Sequence, residues 1–318
     1  MGPNFTYGEL KIFSGRSHPA LAREICSCLG IPLGELTLYN FSDGESYCQI
    51  GENVRGADVF VVQPTASPVN EHVMELLILL DAFRRSSAAR VTAVMPYFGY
   101  ARQDKKDKPR VPIAAKLMAD LLTASGADRI LTMDLHAAQI QGFFNIPVDH
   151  LFAAPVLLDA IREMELEELV IVSPDVGGLE RARAIAKRLE TSLAIIDKRR
   201  TGTNETEVLN VIGDVEGKNV LILDDIIDTA GTLVQAEEAL RRHGADKTYG
   251  AGVHGVFSGP ALDRIETSRL ESLLVTNTIP VESAVARCPR IRPLSIAPLL
   301  GEAIQRIHEG ASVSSLFV

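Results

Sequence analysis

The segment Val220-Leu-Ile-Leu-Asp-Asp-Ile-Ile-Asp-Thr-Ala-Gly-Thr232 passes from an apolar strand-like run, through a loop of small residues, into an amphipathic stretch of helical period. Thr229, Ala230, Gly231 and Thr232 fall where a helix begins, so main-chain N–H groups, hydroxyls and the positive end of the helix dipole can receive a phosphate dianion. Asp224 and Asp225 cannot be meant for that phosphate, because like charges repel. As pure acceptors they suit the hydroxyls of a sugar, directly or through a metal. With Asp228 between the two groups, one loop offers a phosphate pocket beside a hydroxyl pocket, which is the outline of ribose 5-phosphate. A lone Asp here would read as an ordinary strand-to-helix turn with a cap, an account that does not extend to the whole run.

A second strand-to-helix loop, Ser173-Pro-Asp-Val-Gly-Gly178, has glycines that let the backbone approach a diphosphate closely. Lys198 and Arg200 follow a strand expected to end at Ile196, and alternate positions of an extended segment face the same way, so both cations can meet one transferred group. Arg102 sits in a polar loop, where an arginine taken alone usually does nothing specific. Taken alone, His136 reads as a satisfied histidine at a strand end, Phe41 as a core residue and Asp43-Gly44 as a hairpin turn.

These residues need a scaffold, and the rest of the chain supplies one. Short β-branched runs at 11–13, 58–62, 91–95, 130–134, 169–172, 193–196, 220–223 and 273–276 alternate with helix-period stretches at 71–84, 113–125, 179–189 and 233–243. Gly126 and Gly244 stand as helix stops. This is the rhythm of an α/β fold with mainly parallel sheets, whose ligands collect beyond the carboxyl ends of the strands. Residues 91–96 echo 169–174, and 130–134 echo 221–225, which predicts two copies of one doubly wound unit joined near 149–155. The expected organisation is a domain over 8–152, a second over 153–310 and a tail over 311–318.

A length of 318 residues with 46% hydrophobic content suits two cores. The net charge of −9 argues against nucleic acid or an anionic membrane as partner, so any bound phosphate must be held locally. Cys26, Cys28, Cys48 and Cys288 complete no zinc pattern and are expected to be buried or half-buried thiols in a reducing compartment. No secretory signal or span is evident, which predicts a cytoplasmic protein. Met1-Gly-Pro-Asn-Phe-Thr6 formally fits an acylation pattern but lacks a basic second anchor. Gly250-Ala-Gly-Val-His-Gly255 fits a dinucleotide fingerprint on paper, yet its glycines lie inside an apolar strand-like run and no helix follows.

The run ending at Thr232 resembles the phosphoribosyl-binding motif shared by type I phosphoribosyltransferases and phosphoribosyl diphosphate synthetases. Phe41-Ser-Asp-Gly-Glu45, Pro96-Tyr-Phe-Gly-Tyr-Ala-Arg-Gln-Asp104, Met133-Asp-Leu-His136, Ser173 to Gly178 and Asp197-Lys-Arg-Arg200 resemble the synthetase family in order and spacing, from about Lys11 to Phe317. The resemblance implies two domains of the type I phosphoribosyltransferase kind and a Mg2+-dependent transfer of the ATP diphosphate to the anomeric hydroxyl of ribose 5-phosphate. It implies ATP contacts at Phe41, Asp43, Gly44, Glu45, Arg102 and Gln103, the first group lent by a neighbouring subunit. His136 and Asp175 would be metal positions, Asp175, Val176, Gly177 and Gly178 the diphosphate loop, and Lys198 with Arg200 the catalytic pair. Arg200, Asp224, Asp225, Asp228, Thr229, Ala230, Gly231 and Thr232 would hold ribose 5-phosphate. The family further implies a homohexamer, inorganic phosphate as activator, and effector positions at Arg55, Ser312 and Ser314. The loop Asp104 to Pro112 and Thr201-Gly202-Thr203 depart from common family sequences, which bears on loop closure. A phosphoribosyltransferase, taking a nucleobase instead of ATP, and a non-catalytic regulatory relative are the competing readings; the extra segments and the persistence of Asp197 to Arg200 count against them.

Overall fold

Alternating apolar runs and amphipathic helices build two compact units in the computed structural model, which describes residues 7–199 and 208–317. One unit contains residues 1–152, 278–280 and 296–318, and the other contains 153–277 and 281–295.

The first unit opens with β1 (Leu10–Ser14), α1 (Pro19–Leu29), β2 (Leu36–Asn40), β3 (Ser46–Ile50) and β4 (Asp58–Val62). It continues through α2 (Val69–Arg85), β5 (Arg90–Met95), α3 (Ala114–Ser125), β6 (Arg129–Met133) and β7 (Val148–Leu151). Its five-stranded sheet has the order β1-β4-β5-β6-β7, with every neighbouring pair parallel. Strands β4 and β5 are buried at every position, as parallel strands covered on both faces must be. One face carries Val59, Val61, Val91 and Ala93 against Leu76, Leu79, Leu80 and Phe83 of α2 and Ala115, Ala119 and Leu122 of α3. Strands β2 and β3 form a separate antiparallel hairpin that the β-branched pattern did not single out as strands.

The second unit contains α4 (Ala154–Arg162), β8 (Leu169–Ser173), α5 (Leu179–Leu189), β9 (Ser192–Arg199), β10 (Val208–Ile212) and β11 (Asn219–Ile227). After these come α6 (Gly231–Arg242), β12 (Thr248–Gly255), α7 (Ala261–Thr267), β13 (Leu273–Thr276), α8 (Glu282–Arg287) and β14 (Ile291–Leu294). The sheet order is β10-β9-β8-β11-β12-β13-β14, parallel except for the β10–β9 pair. The glycine run at 250–255 lies inside β12, so no dinucleotide turn exists there.

Three expectations require correction. The strand expected to stop at Ile196 runs through Lys198 and Arg199, because the antiparallel partner β10 continues the ladder, with Leu209 opposite Lys198. The strand echoes match the wrong partners: β8 sits between β9 and β11, and β1 sits between β4 and a single parallel bridge to Leu33. The topological counterparts are therefore β1 with β8, β5 with β12 and β6 with β13. Similar apolar runs report equal burial and not equal place. Cys28 is exposed, whereas Cys26 and Cys288 are buried and burial pushes the Cys26 thiol up to about 11.

Helix α9 (Ala297–Glu309), expected in the second domain, packs in the first unit on α1. Its Leu300, Ala303 and Ile304 are wholly buried. Its carboxyl end is tied to the sheet through Asp58, a wholly buried carboxylate that accepts from Arg90 Nε at 2.7 Å and Nη2 at 2.5 Å and lies 2.8 Å from His308 Nδ1. Arg90 also donates to the Ile307 carbonyl at 3.0 Å.

Candidate active site

The carboxyl end of β11 carries Asp224 and Asp225, and the chain then turns through Asp228 and Thr229 into α6. Ala230 occupies the position before the helix with φ 56°, a left-handed conformation that side-chain-bearing residues rarely adopt. No side chain caps α6, so its first-turn N–H groups keep their donor capacity for an anion. Ser258 N–H donates to the Asp228 carbonyl at 2.9 Å, and Arg264 Nη1 donates to the Thr229 carbonyl at 2.9 Å. Arg264 also lies beside Gly231, where an added Cβ would come within 3.2 Å of its Nη1. Sequence reasoning missed this guanidinium because its pairing with the loop spans 35 positions.

The acidic pair is electrostatically crowded. Burial, then Asp225, pushes the Asp224 carboxyl up to about 7, with Asp175 adding to the effect. Asp224 Oδ1 accepts from the Asp225 N–H at 2.9 Å, and Arg181 of α5 brings Nη1 to 3.8 Å from Asp225 Oδ1. The charges of Asp225 and Asp175 both act against ionisation of Asp224, a repulsion that a divalent cation nearby relieves, and oxygen is the ligand magnesium prefers. Among the described residues no group of three His, Cys, Asp or Glu side chains is placed to hold a metal ion by itself. Magnesium does not need one, since it retains waters and takes oxygens from substrate phosphates.

Because a proton is held more tightly by folded Asp224 than by an unfolded aspartate of pKa 3.8, its contribution to stability is present below pH 3.8 and is lost as pH rises to about 7. Asp224→Asn should therefore be more stable than the parent at pH 8, with the advantage shrinking toward pH 4. Urea unfolding at both pH values measures this, and an advantage that grew on acidification would contradict the crowding.

Asp175 to Gly178 form the loop between β8 and α5. Ser173 Oγ donates to the Asp175 carbonyl at 2.7 Å, and Asp175 Oδ1 accepts from Gly178 N–H at 3.0 Å. Gly178 has no room for a side chain without pressing on Ser173 Oγ, 3.0 Å from an added Cβ. Val176 is exposed at the tip. Lys198 lies in β9, while Arg200 and the departure at 201–203 lie outside the described residues. A cavity of about 410 Å3, lined by Ile161, Glu165, Leu189 and Lys218 among others, opens at the amino ends of β8 and β9, the opposite end from these loops.

In the first unit, Phe41 to Glu45 close the β2–β3 hairpin. Phe41 N–H donates to the Glu45 carbonyl at 2.8 Å, Gly44 N–H to the Phe41 carbonyl at 2.9 Å, and Glu45 N–H to Asp43 Oδ1 at 3.1 Å. Gly44 has φ 95°, which this turn requires. Phe41 is 46% exposed and meets Tyr39 and Tyr47 edge-on, so it is not a core residue. Arg102 and Gln103 are exposed on the loop after β5, and His136 is exposed after β6. Arg55 is exposed with its N–H on Asn53 Oδ1, whereas Ser312 is held through its carbonyl by Arg306 Nη1 at 3.1 Å, and Ser314 N–H reaches Ser312 Oγ at 3.2 Å.

The loop bearing Arg102 is anchored by Gly99, whose N–H donates to Thr65 Oγ1 at 2.7 Å and where an added Cβ would lie 2.4 Å from the Thr65 carbonyl oxygen. Gly99→Ala should destabilise the protein by about 1–3 kcal/mol through the forced backbone shift. Thermal unfolding beside the parent checks this, and an unchanged midpoint would mean that the loop yields without cost.

Comparison with known proteins adds an independent line. Residues 10–126 match the family described as the N-terminal domain of ribose phosphate pyrophosphokinase, and residues 200–318 match the phosphoribosyl synthetase-associated domain. A ribose-phosphate pyrophosphokinase of Caldanaerobacter subterraneus subsp. tengcongensis is 56% identical over 310 residues, covering 97% of this chain and 98% of the relative. One of Rhizobium meliloti is 55% identical over 309 residues, covering 97% of this chain and 100% of the relative. The crystal structure of a phosphoribosylpyrophosphate synthetase from Mycobacterium smegmatis superposes with a TM-score of 0.90 at 43% identity, covering 95% of this chain and 100% of that one.

Proposed function

Because the chain belongs to the ribose-phosphate pyrophosphokinase family, we propose that it transfers the β,γ-diphosphate of ATP to the C1 hydroxyl of ribose 5-phosphate, giving 5-phosphoribosyl 1-diphosphate and AMP for nucleotide, histidine and tryptophan biosynthesis. The observation that carries this reading is the uncapped start of α6 directly after a crowded acidic pair. The 5-phosphate would sit on the amides of Ala230, Gly231 and Thr232 and the hydroxyls of Thr229 and Thr232. Asp224 and Asp225 would accept from the ring hydroxyls, with Asp228 beside them.

The anomeric oxygen would attack the β-phosphorus in line while AMP leaves, a reaction that needs alignment and charge neutralisation more than covalent help. Lys198 and Arg200 would neutralise charge on the moving diphosphate, and the loop Asp175 to Gly178 would seat it in the product. Phe41 would stack on adenine, with Asp43, Gly44 and Glu45 accepting from its amine and ribose, while Arg102 and Gln103 would grip the polyphosphate. Bound magnesium, held by Asp175 with His136, would supply charge neutralisation across the phosphate oxygens. We assign a cytoplasmic homohexamer with phosphate as activator through Arg55, Ser312 and Ser314; no helix among the described residues is long and apolar enough to cross a membrane.

Incubation with ATP, ribose 5-phosphate and Mg2+ should yield AMP and 5-phosphoribosyl 1-diphosphate in equal amounts. Diphosphate release from the latter with a nucleobase, and no AMP, would favour a phosphoribosyltransferase instead. Silence in both assays would favour a regulatory relative.

A further inference from the structure

The turn that carries His136 is held from both sides by one buried imidazole. Asp134, two residues before His136, has φ 39°, a conformation that persists in side-chain-bearing residues only when the surroundings over-determine it. Asp134 N–H is fixed to the Leu151 carbonyl at 2.9 Å, and the next N–H, that of Leu135, donates to His150 Nε2 at 2.8 Å. On the far side of His136, a 3-10 turn over Ala138–Phe143 brings the Gln141 side-chain amide to 3.1 Å from His150 Nδ1. His150 is 5% exposed, and Phe152 packs on its ring with centroids 4.6 Å apart. This imidazole meets residues 135 and 141, which lie on either side of position 136 along the chain.

We propose that His150 is a positioning residue for His136, holding the main-chain N–H just before it and the Gln141 side chain of the 3-10 turn after it, so that the metal-side turn is built before ligand arrives. The inference deepens the reading of His136 as a magnesium position and rests on it. A nitrogen that accepts an amide N–H carries no proton, so the imidazole is neutral with its hydrogen on Nδ1. Nδ1–H then donates to Gln141, which must present Oε1 and give up the 3.0 Å contact of its nitrogen with the Ala138 carbonyl. Outer-shell partners of this kind set ligand orientation, and losing one typically weakens metal binding about 10–100-fold.

His150→Leu keeps an apolar body in the pocket and removes the acceptor, whereas His150→Gln can place an oxygen near the Nε2 position. Full-length protein titrated with Mn2+ alone, followed by loss of the free-ion EPR signal, should need about 10–100-fold more metal for half occupancy in the leucine variant and stay near the parent in the glutamine variant. The Mg2+ concentration for half-maximal AMP formation should move in parallel, with kcat at saturating Mg2+ little changed. Leucine and parent proteins binding metal alike, or both variants failing alike, would overturn the proposal. Should the leucine variant not fold, 15N NMR of histidine-labelled parent protein decides the clamp itself. Bare Nε2 coupled to the Leu135 amide is the expected pattern, and a protonated Nε2 refutes it. His136→Ala separates the two readings: unchanged Mn2+ binding there, with His150→Leu equally silent and the NMR pattern intact, would reject His136 as a metal position and this role for His150 with it.

Discussion

Lys198→Ala is expected to lower kcat about 10²–10³-fold while leaving the KM values within a few-fold, because a cation that meets charge developing on the transferred group acts mainly in the transition state. The backbone at 198 is held by pairing with Leu209 in the β9–β10 ladder, so truncating the side chain leaves the strand in register. AMP release at saturating ATP and ribose 5-phosphate is the measurement. Turnover close to that of the parent would make the mechanism assigned to Lys198 wrong, even if the substrates stood.

Asp58→Ala should produce the largest loss of stability, about 3–5 kcal/mol, because it leaves the Arg90 guanidinium buried with no counter-ion. It also takes away the acceptor of His308 at the end of α9. The protein has no tryptophan, and all its tyrosines except Tyr249 fall in the first unit, so tyrosine fluorescence during urea unfolding reports on the affected part. A loss under about 1 kcal/mol would mean that water replaces the carboxylate at little cost. The same variant should release the contacts that α9 makes through Ile307 and His308, which hydrogen exchange over 297–309 would register.

What the sequence disclosed was local. Strands β4 and β13 were expected with the bounds they have, and α5 likewise, because burial on both faces leaves an uninterrupted apolar run and a helix leaves its period. The turn after Asp225 was readable because small residues, hydroxyls and acids at fixed offsets fit few purposes. The hairpin β2–β3 was less visible, since its half-exposed strands mix polar and aromatic residues. Lys198 was set beyond its strand because apolar character fades at Asp197, while an edge ladder tolerates charge. Arg264, Arg181 and His150 were invisible for one shared reason: each acquires its role from a partner far away along the chain or on another element, and spacing carries no trace of that.

Helix α9 is synthesised after every residue of the second unit, yet its buried face belongs to the first. As the polypeptide leaves the ribosome, the half that emerges first must wait, one hydrophobic surface uncovered, while the later half can close. Chaperone dependence should thus fall on the amino-terminal half, and a stop codon before Ala297 would strand it unfinished.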